Sequence, residues 1–177
     1  MDKNAKIVKD SEIFTSVVFK LVKRVVALGE KTFFRDIVLH PGAVVIIPQD
    51  ENGRLGMVRQ YRAALGEVIL EFPAGTLEKG EAPLTCAKRE LIEEVKKCAA
   101  EWIDLGTLYP SPGISSEVQY CYLARSLKTE YADLDEDELL DVEYHSVEEV
   151  ERFILSGDLN DAKSLAIFMR ARLLKLL

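Results

Sequence analysis

Gly75-Thr-Leu-Glu-Lys-Gly-Glu81, followed by Arg89-Glu90-Leu-Ile-Glu93-Glu94, is the stretch that decides this chain. Five carboxylates (Glu78, Glu81, Glu90, Glu93, Glu94) and one arginine fall within twenty residues, behind a glycine-bounded loop. Leu84, Ala87, Leu91 and Val95 recur at three- and four-residue spacing, which predicts a helix from about Glu81 to Lys97. Pro83 suits its first turn. On that helix Glu90 and Glu94 lie one turn apart, Glu93 is adjacent, and Arg89 reaches Glu93 at i,i+4. Clustered carboxylates of this kind offer oxygen ligands to Mg²⁺. Two such ions about 3.5–4 Å apart hold a diphosphate and activate a water. The bland alternative is a solvated acidic helix face with one intrahelical ion pair, and spacing alone leaves both open. The glycine lead-in favours the first, because Gly75 permits close approach or a tight turn.

Before this stretch the chain reads as strand. Ser16–Val26, Thr32–Leu39, Ala43–Ile47, Leu55–Gln60 and Val68–Phe72 are rich in Val and Ile and are separated by turn signals such as Asp50-Glu-Asn-Gly53. That pattern predicts antiparallel pairing. After it, strand character returns at Trp102–Tyr109 and Val118–Ala124, around the loop Pro110-Ser-Pro-Gly-Ile-Ser-Ser-Glu117. Glu130–Asp141 is strongly acidic, and Val142–His145 reads as a short strand. Ser146-Val-Glu-Glu149 has capping-box spacing and predicts a helix start. A last helix is expected from Asn160 or Asp161, burying Leu165, Phe168, Met169, Leu173 and Leu176.

Composition narrows the chemistry. The chain has 177 residues, 48% apolar, enough for one cored domain. Its formal charge of -7 excludes a basic nucleic-acid footprint. No apolar run reaches the length of a membrane span. The three cysteines form no CxxC pair, and no signal-like segment opens the chain, so a cytoplasmic setting is expected. Cys121 reads as core. His40 looks like a turn residue and His145 has no ligand-like partner, so neither suggests zinc.

The motif residues Gly75, Glu81, Arg89, Glu90, Leu91, Glu93 and Glu94 resemble the Nudix hydrolase signature, Gly-x5-Glu-x7-Arg-Glu-U-x-Glu-Glu-x-Gly-U, with U aliphatic. Lys96 stands where the final glycine is expected and Lys97 where the aliphatic residue is expected. Gln60-Tyr-Arg62, Leu70-Glu-Phe-Pro-Ala-Gly75, Ser111-Pro-Gly113 through Glu117, and Asp161-Ala-Lys163 are similar to the ADP-ribose pyrophosphatase subgroup. The resemblance implies an α/β/α sandwich with a mixed sheet over residues 41–177. Residues 1–40 become a β-strand region that packs in a homodimer. It also implies Mg²⁺ (or Mn²⁺), two or three ions per site, and hydrolysis of ADP-ribose to AMP and ribose 5-phosphate.

By the same resemblance the metal ligands are Glu90, Glu94, Glu93, the Ala74 carbonyl and Glu138, with Arg89 orienting the glutamates. Glu81 and Gly75 support them from outside. Arg62, Arg59 and Glu71 face the substrate, Arg suiting phosphate by its fork geometry. Water activation is open among Glu93, Glu117 and Glu136. Phe33, Phe34, Tyr61 and Tyr109 are candidates for stacking on the base. Another nucleoside diphosphate sugar or a dinucleotide as substrate, and a non-catalytic nucleotide-binding or interaction module, remain alternatives.

Overall fold

The computed structural model describes residues 5–130 and 140–177, which form two compact units. The smaller comprises Met1–Gly42 with Tyr109–Val118. In it β1 (Ala5–Thr15), β2 (Lys20–Leu28) and β3 (Lys31–Leu39) make an antiparallel sheet in that order. The strand expected from Ser16 begins later, at Lys20. Ser16 Oγ accepts the N–H groups of Val18 and Phe19, at 3.2 and 2.9 Å, and so closes a turn in place of a ladder. Two register shifts, between Ile7 and Lys9 and between Glu12 and Phe14, break the period-2 pattern of β1. The loop segment joins β3 through Val38 N–H to Ile114 O (2.8 Å) and Ser116 N–H to Val38 O (2.9 Å).

The larger unit comprises Ala43–Leu108 and Gln119–Leu177. Its elements are β4 (Ala43–Pro48), β5 (Leu55–Arg62), β6 (Glu67–Glu71), β7 (Ala74–Thr76), α1 (Pro83–Val95) and β8 (Lys97–Leu108). They continue with β9 (Gln119–Thr129), β10 (Leu140–His145), α2 (Val147–Ser156) and α3 (Ala162–Leu173). One sheet runs β7-β4-β9-β8, with β4 and β9 parallel and the other pairs antiparallel. A second runs β10-β5-β6, all antiparallel. Every residue of β4 is buried, so it is covered on both faces. Val45 and Ile47 pack with Val150, Ile167 and Phe168 of α2 and α3, whereas Val44 and Ile46 pack with Ala87, Leu91 and Val95 of α1. Helices on both faces of a mixed sheet make the α/β/α sandwich that the sequence implied.

Helix ends follow local chemistry. The Ser146–Glu149 capping box forms in full at α2, and Asp161 caps α3 by accepting the Ser164 N–H. α1 stops at Lys96, whose backbone is left-handed at φ 58°, ψ 37° and whose N–H returns to the Ile92 carbonyl. A glycine is the usual occupant of that conformation, and here a lysine adopts it. Two expected stripes shift. Leu84 is 37% exposed on α1. On α3 the buried face is Ser164, Ile167, Phe168 and Ala171, while Met169 and Leu173 are exposed. Apolar residues surround α3, so periodicity alone does not pick the face that meets β4 and β8.

Among the described residues, no helix is long and apolar enough to cross a membrane.

Candidate active site

α1 buries two carboxylates together with its apolar stripe. Glu90 is 7% exposed and Glu94 3%, one turn apart. Burial of charge is unfavourable unless hydrogen bonds and counter-charges replace water. Glu94 Oε2 accepts the N–H of Ala74 at 3.2 Å, joining the helix to β7. Glu90 Oε1 accepts from Arg89 Nη1 at 2.7 Å.

Arg89 is the hub. Its guanidinium grips Glu81 with two donors, Nε to Oε1 at 3.1 Å and Nη2 to Oε2 at 3.0 Å. Nη1 also donates to Glu93 Oε2 at 2.8 Å, the expected i,i+4 pair, and Nη2 donates to the Thr76 carbonyl at 3.3 Å. This bidentate bond to Arg89 holds the Glu81 carboxyl down to about 2, and the same bond pushes Arg89 further up. Glu81 also accepts the Glu78 N–H at 3.0 Å, so it braces the loop ahead of the helix. Burial pushes the Cys86 thiol up to about 12, with Glu90 and Glu81 adding to it, so the thiol stays neutral. Cys121 is likewise pushed up to about 11 by burial.

Gly75 serves close approach. A Cβ placed there would lie 1.8 Å from Cδ of Glu90, so only glycine leaves room for that carboxylate head. Glu90, Glu94 and Glu93 carry hard carboxylate oxygens, the donor type that Mg²⁺ and Mn²⁺ take. Among the described residues, no three Asp, Glu, His or Cys side chains form a group that could hold a metal ion by themselves.

A second cluster flanks the loop on its upstream side. Glu71 is 1% exposed. Lys163 Nζ donates to its Oε2, and Arg62 Nη2 lies 2.7 Å from its Oε1, close enough for an ion pair although off the hydrogen-bond axis. Asp161 Oδ2 accepts from Lys163 at 3.0 Å, and Ser164 Oγ accepts the Phe72 N–H at 2.8 Å. In the sequence, Asp161-Ala-Lys163 carries a family resemblance but points to no role for Lys163 or Ser164. The capping position of Asp161 was the available signal, but partners 92 residues apart are not visible in spacing.

Arg59 pairs with a different carboxylate from Arg62. Successive strand residues alternate faces, so β5 sends Arg59 and Arg62 to opposite sides. Arg59 Nε donates to Glu143 Oε1 at 2.6 Å. His145 Nε2 is 2.9 Å from Oε2 of the same glutamate, so this histidine has an acidic partner that sequence reading did not anticipate. Bonding to Arg59 first, and to His145, holds the Glu143 carboxyl below its usual range.

Glu117 belongs to the Tyr109–Val118 segment of the smaller unit, where Ser115 Oγ accepts its N–H at 3.1 Å. Glu136 and Glu138 lie outside the described residues. Phe34, Tyr61 and Tyr109 are exposed, while Phe33 is half-buried under the Arg35 guanidinium.

Residues 38–167 match the NUDIX domain family. The chain is 37% identical over 162 residues to "ADP-ribose pyrophosphatase" of Bacillus subtilis (strain 168), covering 90% of this chain and 88% of that protein. It is 40% identical over 164 residues to "Methanol dehydrogenase activator" of Bacillus methanolicus, with the same coverage of 90% and 88%. Similarity to "GDP-mannose pyrophosphatase" of Enterobacter sp. (strain 638) is 31% over 136 residues, 71% of this chain and 70% of that one. In fold it is similar to a solved "ADP compounds hydrolase", with TM-score 0.81, 23% identity, and coverage of 96% and 93%.

Proposed function

We propose, from the premise that this chain belongs to the NUDIX family, that it hydrolyses the diphosphate bridge of a nucleotide sugar, with ADP-ribose as substrate and AMP and ribose 5-phosphate as products. The observation that carries this reading is the pair of buried carboxylates, Glu90 and Glu94, fixed against Gly75 and the Ala74 amide. A buried pair one turn apart, with Glu90 held by Arg89 and Glu94 by the Ala74 N–H, is not a solvated helix face.

Glu90, Glu94 and Glu93 would hold Mg²⁺, with the Ala74 carbonyl and Glu138 as further donors. Bound there, the ion supplies charge neutralisation for the diphosphate and acidifies a water. Arg89 keeps the α1 glutamates in place, and Glu81 in turn fixes Arg89. Arg62 binds phosphate oxygens of the substrate with its fork and offsets their charge. Glu93 has a side chain 33% exposed, against 9% for Glu90, and the oxygen that Arg89 does not bind would take the proton of the attacking water. Glu117 and Glu136 compete for that role. The water oxygen bonds to one phosphorus, the bridging P–O bond breaks, and the leaving phosphate takes the bridging oxygen.

Residues 41–177 carry this site in the proposal, and residues 1–40 serve dimerisation. Ile7, Val8, Ile13, Phe14 and Phe34 of the N-terminal sheet are half or more exposed, which supports burial against a second copy. Sedimentation of dilute protein as a monomer would reject that part.

The similarity to a GDP-mannose pyrophosphatase favours one second reading, a different nucleoside diphosphate sugar. Turnover of ADP-ribose, GDP-mannose and dinucleotides by the purified protein, with product identification, decides between them. A kcat/KM highest for ADP-ribose supports the proposal, and one higher for GDP-mannose replaces it.

A further inference from the structure

Resting on the reading of this site as a diphosphate hydrolase, we propose that Lys163 is a positioning residue, which sets Arg62 and the metal-side loop from the start of α3. Two adjacent residues of the chain are clasped by that helix start. Glu71 is held through its carboxylate by Lys163, and Phe72 through its N–H by Ser164 Oγ at 2.8 Å. Neither anchor moves freely. Lys163 is also bound to Asp161 at 3.0 Å, and Asp161 accepts from both Ser164 Oγ (2.6 Å) and Ser164 N–H (3.0 Å). Asp161, Lys163 and Ser164 thus brace one another on the first turn of α3.

The clasp reaches two functional groups. Upstream, the other oxygen of Glu71 sits 2.7 Å from Arg62 Nη2, so the place of that guanidinium depends on where Lys163 holds the carboxylate. Downstream, two residues past Phe72, the Ala74 N–H donates to Glu94. The strand end from Glu71 to Ala74 is therefore pinned by α3 at one end and by α1 at the other. With Lys163 12% and Glu71 1% exposed at the side chain, little water is present to replace a lost partner. Removing the lysine charge leaves Glu71 to Arg62 alone. It then draws the guanidinium onto a buried carboxylate and away from phosphate oxygens.

The test is steady-state kinetics of the full chain with ADP-ribose and Mg²⁺, for wild type, Lys163→Met, Lys163→Arg, Arg62→Met and the Lys163→Met/Arg62→Met double variant. Lys163→Met is expected to raise KM about 10-fold with a smaller change in kcat. Lys163→Arg restores most of the loss. The double variant loses less than the product of the two single losses, because both act on the Arg62 guanidinium. Lys163→Gln keeps a hydrogen-bond donor and carries the same expectation should the methionine variant not fold. A lowered Tm with unchanged KM, or losses that simply multiply in the double variant, overturns the positioning role while leaving the hydrolase reading intact. A wild type that turns over no diphosphate-linked nucleotide overturns both.

Discussion

The backbone N–H of Ala74 donates to Oε2 of Glu94 at 3.2 Å, tying the short strand β7 to a helix twenty residues further on. That bond faces a carboxylate only 3% exposed. Glu94→Gln keeps an oxygen to accept the Ala74 bond and removes the charge. Turnover is expected to fall on the order of 10²–10³-fold with the far-ultraviolet dichroism unchanged. Mn²⁺ binding, read by titration calorimetry, weakens in parallel. Wild-type turnover in this variant contradicts its role as a ligand.

Gly75 makes the complementary prediction. A Cβ at this position would meet Glu90 Cδ at 1.8 Å, so the helix carboxylate or the strand has to move. Gly75→Ala is expected to destabilise the chain by about 1–3 kcal/mol, as overpacking does. Thermal unfolding should show a Tm lower by several degrees, and turnover should fall with it. An unchanged Tm would mean that Glu90 leaves this position easily.

Lys96 predicts the opposite sign. It occupies a left-handed backbone at φ 58° that favours glycine. Lys96→Gly is expected to stabilise by about 1 kcal/mol, because the strain is relieved although the unfolded chain gains freedom. Thermal melting should rise by a few degrees with catalysis unaltered. A lower Tm would show that the lysine side chain contributes more than its backbone costs.

Glu81 gives a pH dependence. Its carboxyl titrates at about 2 in the folded chain, against a usual 4.5, chiefly through Arg89. Below 4.5 the unfolded chain binds this proton while the folded chain does not, so stability falls as pH drops from about 4.5 toward 2. Above 4.5 the contribution is complete. Denaturant unfolding measured across that window should slope less in Glu81→Gln than in the wild type, and equal slopes would remove Glu81 from the acid response.

Much of this was readable from spacing because it is local. The i,i+4 geometry placed Glu90 with Glu94 and Arg89 with Glu93, and the capping box at Ser146 set the start of α2. What tertiary partners decide is not local. Arg59 and Arg62 look alike in sequence, but the period of β5 and the presence of Glu143 divert Arg59. The buried face of α3 turns toward Ser164 and Ala171 because Phe72 and the sheet lie there, which no helical stripe encodes. The grip of Lys163 on Glu71 spans 92 residues.

The most direct test of the central claim is phosphorus NMR of ADP-ribose incubated with the purified chain and Mg²⁺. The diphosphate signals are expected to give way to two monophosphate signals, those of AMP and ribose 5-phosphate, and a chelator is expected to stop the change. Diphosphate signals that persist with both Mg²⁺ and Mn²⁺ would contradict it.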